Sequence, residues 1–326
     1  MSVQKTALIF GVTGQDGAYL SHALLQRGYV VHGTSRDREM ANTDGLRQLE
    51  ISNQVQVHSA VPSDFRSVLQ VIETIAPDHI YNLAGQSSVG LSFQQPLDTV
   101  ESITMGMLNI LEVIRFRKAA VRLYNAASSE TFGNTDNGPA DETTAFRPRS
   151  PYGVAKAASF WTVANYRECY NLFACSGILF NHESPLRPQR FVTQKIIRGA
   201  VDIAQRKVEH LMLGNIDVTR DWGWASDYVD AMVRILEHET PHDYVIATGI
   251  PSTLADFVAA AFAHVGLAWR KHVEMAEELR RPTDISMSVG NAAKAKRLLD
   301  WRADITMPKL VGMLVDAELE RRARKE

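Results

Sequence analysis

Apolar residues in the first 180 positions follow two alternating patterns. Short, nearly continuous apolar runs occupy positions 7–10, 29–33, 55–57, 79–83 and 121–126. Runs of this length, bounded by glycine or polar residues, predict strands buried on both faces. Between them, apolar residues recur every three or four positions. This predicts helices at 19–27 (closed by Gly28), at 63–74, and at 152–170. A further long helix carries Val100, Ile103, Met107, Leu111 and Ile114 on one stripe. Strand–helix alternation predicts an α/β fold with a parallel, doubly wound sheet.

After Phe180 the texture changes. Pro185, Pro188, Gly214, Pro241, Gly249 and Pro251 punctuate short elements, which predicts a smaller lobe over the carboxyl ends of the strands. Residues 1–180 are expected to form a dinucleotide-binding unit, and 181–326 mainly a substrate-binding lobe. Segments after position 215 are expected to return to the first unit, so the lobes interleave. The chain has 326 residues, 45% of them hydrophobic, enough for two fused lobes.

A formal net charge of −2 gives no support for a nucleic-acid partner, which would call for a strongly basic face. The two cysteines, Cys169 and Cys175, do not suggest a disulfide framework; two buried apolar thiols in a reducing cytoplasm fit better. The polar start of the chain does not resemble a signal peptide, and no run of about 18 apolar residues suggests a membrane span. The mixed charges of 318–326 read as the solvated end of a helix. No metal site is expected.

The first strand runs into Gly11-Val12-Thr13-Gly14-Gln15-Asp16-Gly17. Glycines spaced G-x-x-G-x-x-G between a strand and a helix let backbone N–H groups and the helix N-terminus meet a pyrophosphate. In this context the loop predicts a Rossmann-like dinucleotide site. A preference for NAD is usually marked by an acid about 20 residues further on. Here the second strand ends in Thr34-Ser35-Arg36-Asp37. Ser35 and Arg36 suit a 2′-phosphate and favour NADP. Asp37 is an awkward neighbour, and Arg36 with Arg38 can also be read as solvated loop charges.

The strand at 121–126 delivers Ala127-Ser128-Ser129-Glu130, and Ser150-Pro151-Tyr152-Gly153-Val154-Ala155-Lys156 opens a helix. Tyr152 and Lys156, four apart, share one helix face. A free tyrosine, with a pKa near about 10, is a poor base at neutral pH. A neighbouring ammonium is expected to stabilise the phenolate and lower that pKa. The pair can then exchange a proton with a sugar hydroxyl while hydride moves at the same carbon.

Together these features resemble the extended short-chain dehydrogenase/reductase superfamily. Within it, the stretch 11–20 (GVTGQDGAYL) resembles GDP-mannose 4,6-dehydratases. So do Asn82-Leu83-Ala84-Gly85-Gln86-Ser87, Asn181-His182-Glu183-Ser184-Pro185, Phe191-Val192-Thr193 and Arg220-Asp221-Trp222-Gly223. The resemblance implies that Ser128 hydrogen-bonds the oxygen whose proton Tyr152 takes. It implies that Glu130 is the base that removes the C5 proton once C4 is a ketone; a solvated strand-end carboxylate is the other reading. Leu83, Ala84 and Gln86 would join the loop and the Tyr152–Lys156 pair around the cofactor. Ser87, Asn181, Val192, Thr193, Lys195, Arg220 and Arg281 would surround the nucleotide diphosphate of GDP-mannose or a related GDP-sugar. Lys195 also reads as a solvated helix lysine, and His182 as a packed, hydrogen-bonded histidine rather than a catalyst.

The chain departs from the family pattern at several places. Ser128 stands for the usual threonine, Ala60 lies near an expected acid, Pro188 replaces a glycine and Gln194 an arginine. A GDP-4-keto-6-deoxy-sugar reductase, an epimerase, a dehydratase of another GDP-sugar such as a GDP-heptose, and a non-enzymatic NADP-binding regulator remain alternatives. The superfamily pairs the helix carrying the Val100–Ile114 stripe with the helix from Tyr152 in a four-helix interface. This implies a homodimer; a tetramer would use the loop after the second strand, which departs here.

Overall fold

The computed structural model describes residues 4–279 and 281–324. Seven parallel strands form the central sheet, in the order β10-β6-β5-β4-β1-β2-β3. They are β1 (Thr6–Phe10), β2 (Val30–Ser35), β3 (Val55–Ser59), β4 (His79–Asn82), β5 (Arg122–Ser128), β6 (Ala174–Leu179) and β10 (Tyr244–Ile246). Each predicted strand is present, with its ends shifted by no more than two residues. Alternation along β1 divides the core. Ala7 and Ile9 join Leu20, Leu24, Val229 and Met232 on one face. Leu8 and Phe10 join Val71, Ile72, Met107, Ile110 and Val163 on the other. Both faces are covered, so the strands read as continuous apolar runs rather than alternating ones.

Helices cover both faces, and several of their starts have a local cause. The first spans Gln15–Gln26, starting four residues before the apolar periodicity because the glycine loop leads straight into it. Helix Phe65–Ile75 starts where the Asp64 carboxylate accepts the N–H groups of Arg66 and Ser67, an N-cap worth about 1 kcal/mol. Residues 96–117 run as helix Pro96–Val100, a π-turn Glu101–Met105 and helix Gly106–Arg117. Ile103, Met107, Leu111 and Ile114 are buried, but Val100 is 40% exposed. The wider π-turn begins directly after Val100 and contains the buried Ile103. Helix Pro151–Tyr170 has Ser150 as N-cap, its hydroxyl accepting Gly153 N–H at 3.0 Å, and Pro151 in the first turn, where a missing N–H costs nothing.

The remaining strands are short: β7 (Asn181–Glu183), β8 (Leu211–Leu213), β9 (Thr219–Trp224), β11 (Pro251–Thr253), β12 (Val273–Met275) and β13 (Met287–Ser288). β9 pairs with β7, β11 and β13, and β8 pairs with β12. Helices Val192–Ala204, Leu254–His264 and Met307–Ala323 pack a second apolar cluster around Trp222, Phe257, Phe262 and Leu310. Helix Ala225–Glu237 and β10 belong instead to the central sheet and its first core.

Two expectations fail here. Cys175 is buried, but Cys169 is exposed near the end of the Pro151–Tyr170 helix. The charged run from Glu318 is not simply solvated. Glu318 is buried and accepts from Arg321 and Arg322, and Arg322 reaches Asp202 at 2.6 Å. This charge cluster docks the last helix; residues 325 and 326 lie outside the described ones. Among the described residues, no helix is long and apolar enough to cross a membrane.

Candidate active site

A cavity of about 430 Å³ opens where the carboxyl ends of β5 and β6 meet the second cluster of elements. Ser128, Glu130, Tyr152 and Lys156 line one wall. Asn181, Val192, Thr193, Lys195, Arg220 and Arg281 line the rest, with Ser87 and Leu83 at the edge.

The catalytic candidates meet because β5 ends in a tight turn. Thr131 Oγ1 donates to the Ser128 carbonyl at 2.7 Å, and Glu130 N–H to the Ser128 hydroxyl at 3.3 Å. This 3₁₀ turn, Ser129–Thr131, carries Glu130 towards the helix of Tyr152. Gly153 permits the approach, since a Cβ there would lie 2.8 Å from the Glu130 carbonyl. The Tyr152 phenol hydrogen-bonds with Ser128. Lys156 Nζ donates to the Ala126 carbonyl at 2.6 Å and sits 5.9 Å from the Tyr152 ring centroid.

The protonation balance differs from the expectation. Burial pushes the Tyr152 phenol up to about 12, against the hydrogen bond with Ser128 and with the help of the Glu130 charge. Burial also brings Lys156 down to about 8. Desolvation of the charged form is the largest effect on both groups. Glu130 is raised too: burial dominates, Arg281 and Arg220 pull it down, and Asp284 pushes it up. A raised carboxylate is a stronger base once ionised.

The glycine loop is shaped for a close ligand. Gly11 has φ +87°, and a Cβ there would lie 3.0 Å from Ala84 N and Leu83 O. The helix Gln15–Gln26 starts at Gly14 without a side-chain cap, so its first N–H groups are available to an anion. The loop's side chains, however, are partly committed elsewhere. Gln15 is buried; its Nε2 donates to the His182 carbonyl at 3.1 Å and its Oε1 accepts from Ser184 Oγ at 2.8 Å. Asp16 pairs with His182 Nε2 at 2.9 Å. Burial opposes ionisation of Asp16, but His182 holds it at about 2. His182 itself is held up by Asp16 although burial alone would lower it. Its Nδ1 bonds the Phe180 carbonyl at 2.7 Å and its ring stacks on Tyr228, the packed, hydrogen-bonded histidine expected. Gln15 and Asp16 thus lock the phosphate loop to the Asn-His-Glu-Ser run, leaving mainly backbone for a phosphate.

Two further candidates have side chains engaged within the protein. Gln86 bonds within its own loop, with Nε2 donating to Ser88 O at 2.8 Å and Thr99 Oγ1 at 3.2 Å. Thr193 is buried, and its hydroxyl donates to Glu183 Oε2 at 2.7 Å. The Ser88 carbonyl also accepts Ser92 N–H at 3.1 Å, and Glu183 Oε2 also lies 3.5 Å from Arg187 Nε. Lys195 is half-buried and lines the cavity. Ser35 is half-buried and Arg36 exposed at the end of β2. Thr13 and Gly14 stand in the loop, Gly17 is buried in the helix, and Ala84 follows β4.

Arg187, Arg190 and Asp284 also line the cavity, and motif matching did not single them out. The signal for the arginines is their spacing about Phe191, on which Arg187 stacks at 3.9 Å. Nothing local marks Asp284.

A family model described as GDP-mannose 4,6 dehydratase matches residues 8–314. GDP-mannose 4,6 dehydratase 1 of Arabidopsis thaliana is 43% identical over 333 residues, covering 99% of this chain and 92% of that protein. The GDP-mannose 4,6 dehydratase of Homo sapiens is 38% identical, covering 97% and 92%. That of Sinorhizobium fredii is 39% identical, covering 98% of both. Among solved structures, a dTDP-glucose 4,6-dehydratase of Streptomyces venezuelae with NAD bound superposes with a TM-score of 0.86 at 18% identity, over 98% of each chain. That likeness shows the doubly wound fold; the sequence relatives and the matched residues show that the chain belongs to the GDP-mannose 4,6 dehydratase family.

Proposed function

We propose that the chain is a lyase converting GDP-mannose to GDP-4-keto-6-deoxymannose, with NADP as a bound and regenerated cofactor. The observation that carries this reading is the convergence of Ser128, Glu130, Tyr152 and Lys156 on the cavity that Asn181, Lys195, Arg220 and Arg281 also line. A proton-transfer wall thus faces a wall suited to a diphosphate.

Tyr152, beside Ser128, takes the proton from the sugar O4 as the phenolate, a form that burial disfavours in the free site and that the positive charge of an oxidised nicotinamide would favour. A nicotinamide held by the glycine loop and the Tyr152–Lys156 pair would supply a reversible hydride acceptor for C4 and C6, so the reaction would have no net redox change. Glu130 removes the C5 proton, which the C4 ketone makes acidic, and gives a proton to the departing C6 hydroxyl, which leaves as water. C5 then regains a proton from solvent through Glu130, and Tyr152 releases the O4 proton to solvent, so the protons balance. Arg220, Arg281 and Lys195 hold the diphosphate, with Asn181 donating an amide. Residues 1–180 hold the cofactor, and 181–326 mainly the sugar nucleotide. The backbone of the glycine loop meets the pyrophosphate, and Ser35 with Arg36 the 2′-phosphate.

Exposed apolar side chains support a homodimer. Leu97, Val100, Met105 and Phe116 on segment 96–117, with Val154 and Trp161 on the Tyr152 helix, are all at least 40% exposed. A second copy would cover them, and this accounts for Val100 facing outward. The test of function is incubation with GDP-mannose and no added reductant. The 4-keto-6-deoxy product is expected. Turnover only of a keto-sugar with external NADPH would mark a reductase, and no turnover a binding protein.

A further inference from the structure

Arg220 is almost enclosed, with its side chain 8% exposed. Its Nη1 donates to the carbonyls of Thr219 at 2.9 Å and Ile285 at 2.7 Å; its Nη2 donates to Asp284 Oδ1 at 3.1 Å. The same carboxylate lies 3.6 Å from Arg281 Nη1 and accepts Ile285 N–H at 2.9 Å. Asp284 is therefore a hub shared by the two arginines that bear on Glu130.

Asp284 also rides on a strap sewn to both catalytic segments. Thr283 Oγ1 donates to the Arg149 carbonyl, just before the Tyr152 helix. Ser286 N–H donates to Asn134 Oδ1 at 2.8 Å, Thr135 N–H to Met287 O at 3.0 Å, and Val289 N–H to Thr135 Oγ1 at 3.0 Å, all just beyond Glu130. The strap sets where the Asp284 charge sits relative to Glu130.

We propose that Asp284 is a positioning residue: it aims Arg220 and shares the cationic charge of Arg220 and Arg281 with Glu130, so that Glu130 stays basic enough to remove a carbon-bound proton. The inference rests on Glu130 being the C5 base. The charged or titratable groups acting on Glu130 are Arg220 from β9, Arg281 and Asp284 from the strap, and Tyr152 from the facing helix. The two cations stabilise the Glu130 carboxylate and Asp284 opposes them. Without Asp284 the full cationic field falls on Glu130, which then ionises at lower pH and is a weaker base.

The experiment follows the rate of solvent deuterium entry at C5 of GDP-mannose against pH, using the holoenzyme. The rate rises as Glu130 ionises, so the position of the acid limb reads its pKa. In Asp284→Asn the limb should move about half to one pH unit to lower pH, a range that allows for solvent screening of the partly exposed Asp284. The plateau should fall about threefold to tenfold. Asp284→Glu, which restores the charge, should return the limb to its wild-type position. An acid limb that stays at the wild-type pH in Asp284→Asn, whatever the rate, overturns the proposal and leaves Asp284 a structural tie. If Asp284→Asn does not fold, Asp284→Ser carries the same two outcomes. A Glu130→Gln control that still exchanges C5 at the normal rate would sink the base assignment itself, which separates that failure from this one.

Discussion

Glu130→Gln separates chemistry from stability, because the two should move in opposite directions. The carboxylate is deeply placed and its pKa is raised, mainly by burial, against Arg281 and Arg220. Glutamine has nearly the same shape and carries no charge, so the fold, the Ser128–Tyr152 hydrogen bond and cofactor binding should survive. An amide cannot accept the C5 proton, and losing a positioned general base costs about a hundredfold to ten-thousandfold. Stability should behave differently. A carboxyl with a raised folded pKa contributes stability that is fully present below its unfolded value, about 4.3, and lost as pH rises through the folded value. The charged form is the one the fold disfavours. The variant should therefore melt at or above the wild-type temperature at pH 8, with the gap closing as pH falls towards 4. The assays are deuterium entry at C5, bound-cofactor reduction by absorbance, and thermal melts at several pH values. Normal cofactor reduction without C5 exchange is expected, whereas Tyr152→Phe should block the reduction itself. A Glu130→Gln protein that exchanges C5 at the wild-type rate, or is destabilised at pH 8, would refute the reasoning.

Arg36→Ala should weaken NADP binding roughly tenfold or more, the worth of a charged hydrogen bond, with NAD little changed. Equal losses for both in calorimetric titration would remove Arg36 from the 2′-phosphate site. Thr193→Val deprives the buried Glu183 of its 2.7 Å donor and should cost about 1–3 kcal/mol in chemical denaturation. A raised KM with unchanged stability would return the hydroxyl to the substrate. Trp161→Glu places a charge on the apolar helix face, where Trp161 is 61% exposed. It should turn a dimer into a monomer by light scattering, as loss of a central aromatic anchor typically costs about 2 kcal/mol or more. A wild-type chain that is monomeric at micromolar concentration contradicts the assembly reading.

Local pattern was enough wherever a residue's role depends on its near neighbours in the chain. Strands buried on both faces read as apolar runs, so the order of the central sheet elements was legible from 7 to 170. The glycine loop was legible because backbone sterics allow only glycine where a Cβ would strike Leu83 and Ala84. Tyr152 and Lys156 were legible because helix geometry alone puts them on one face. Ser150 and Pro151 likewise announce the helix start.

What the fold alone decided is how partners distant in sequence share polar groups and exclude water. Gln15 and Thr193 resemble ligand contacts by motif, but their side chains satisfy Ser184, His182 and Glu183, up to 169 positions away. The Tyr152 phenol is raised rather than lowered because burial disfavours its charged form, and no spacing rule reports burial. Val100 and Cys169 lie outside the core because a π-turn and a helix end, not periodicity, set their faces. Asp284 acquires its place beside Arg220 only when the strap folds back across the ends of β5 and β9. A carboxylate's electrostatic role is set by its neighbours in space, and those come from chain segments that sequence order keeps apart.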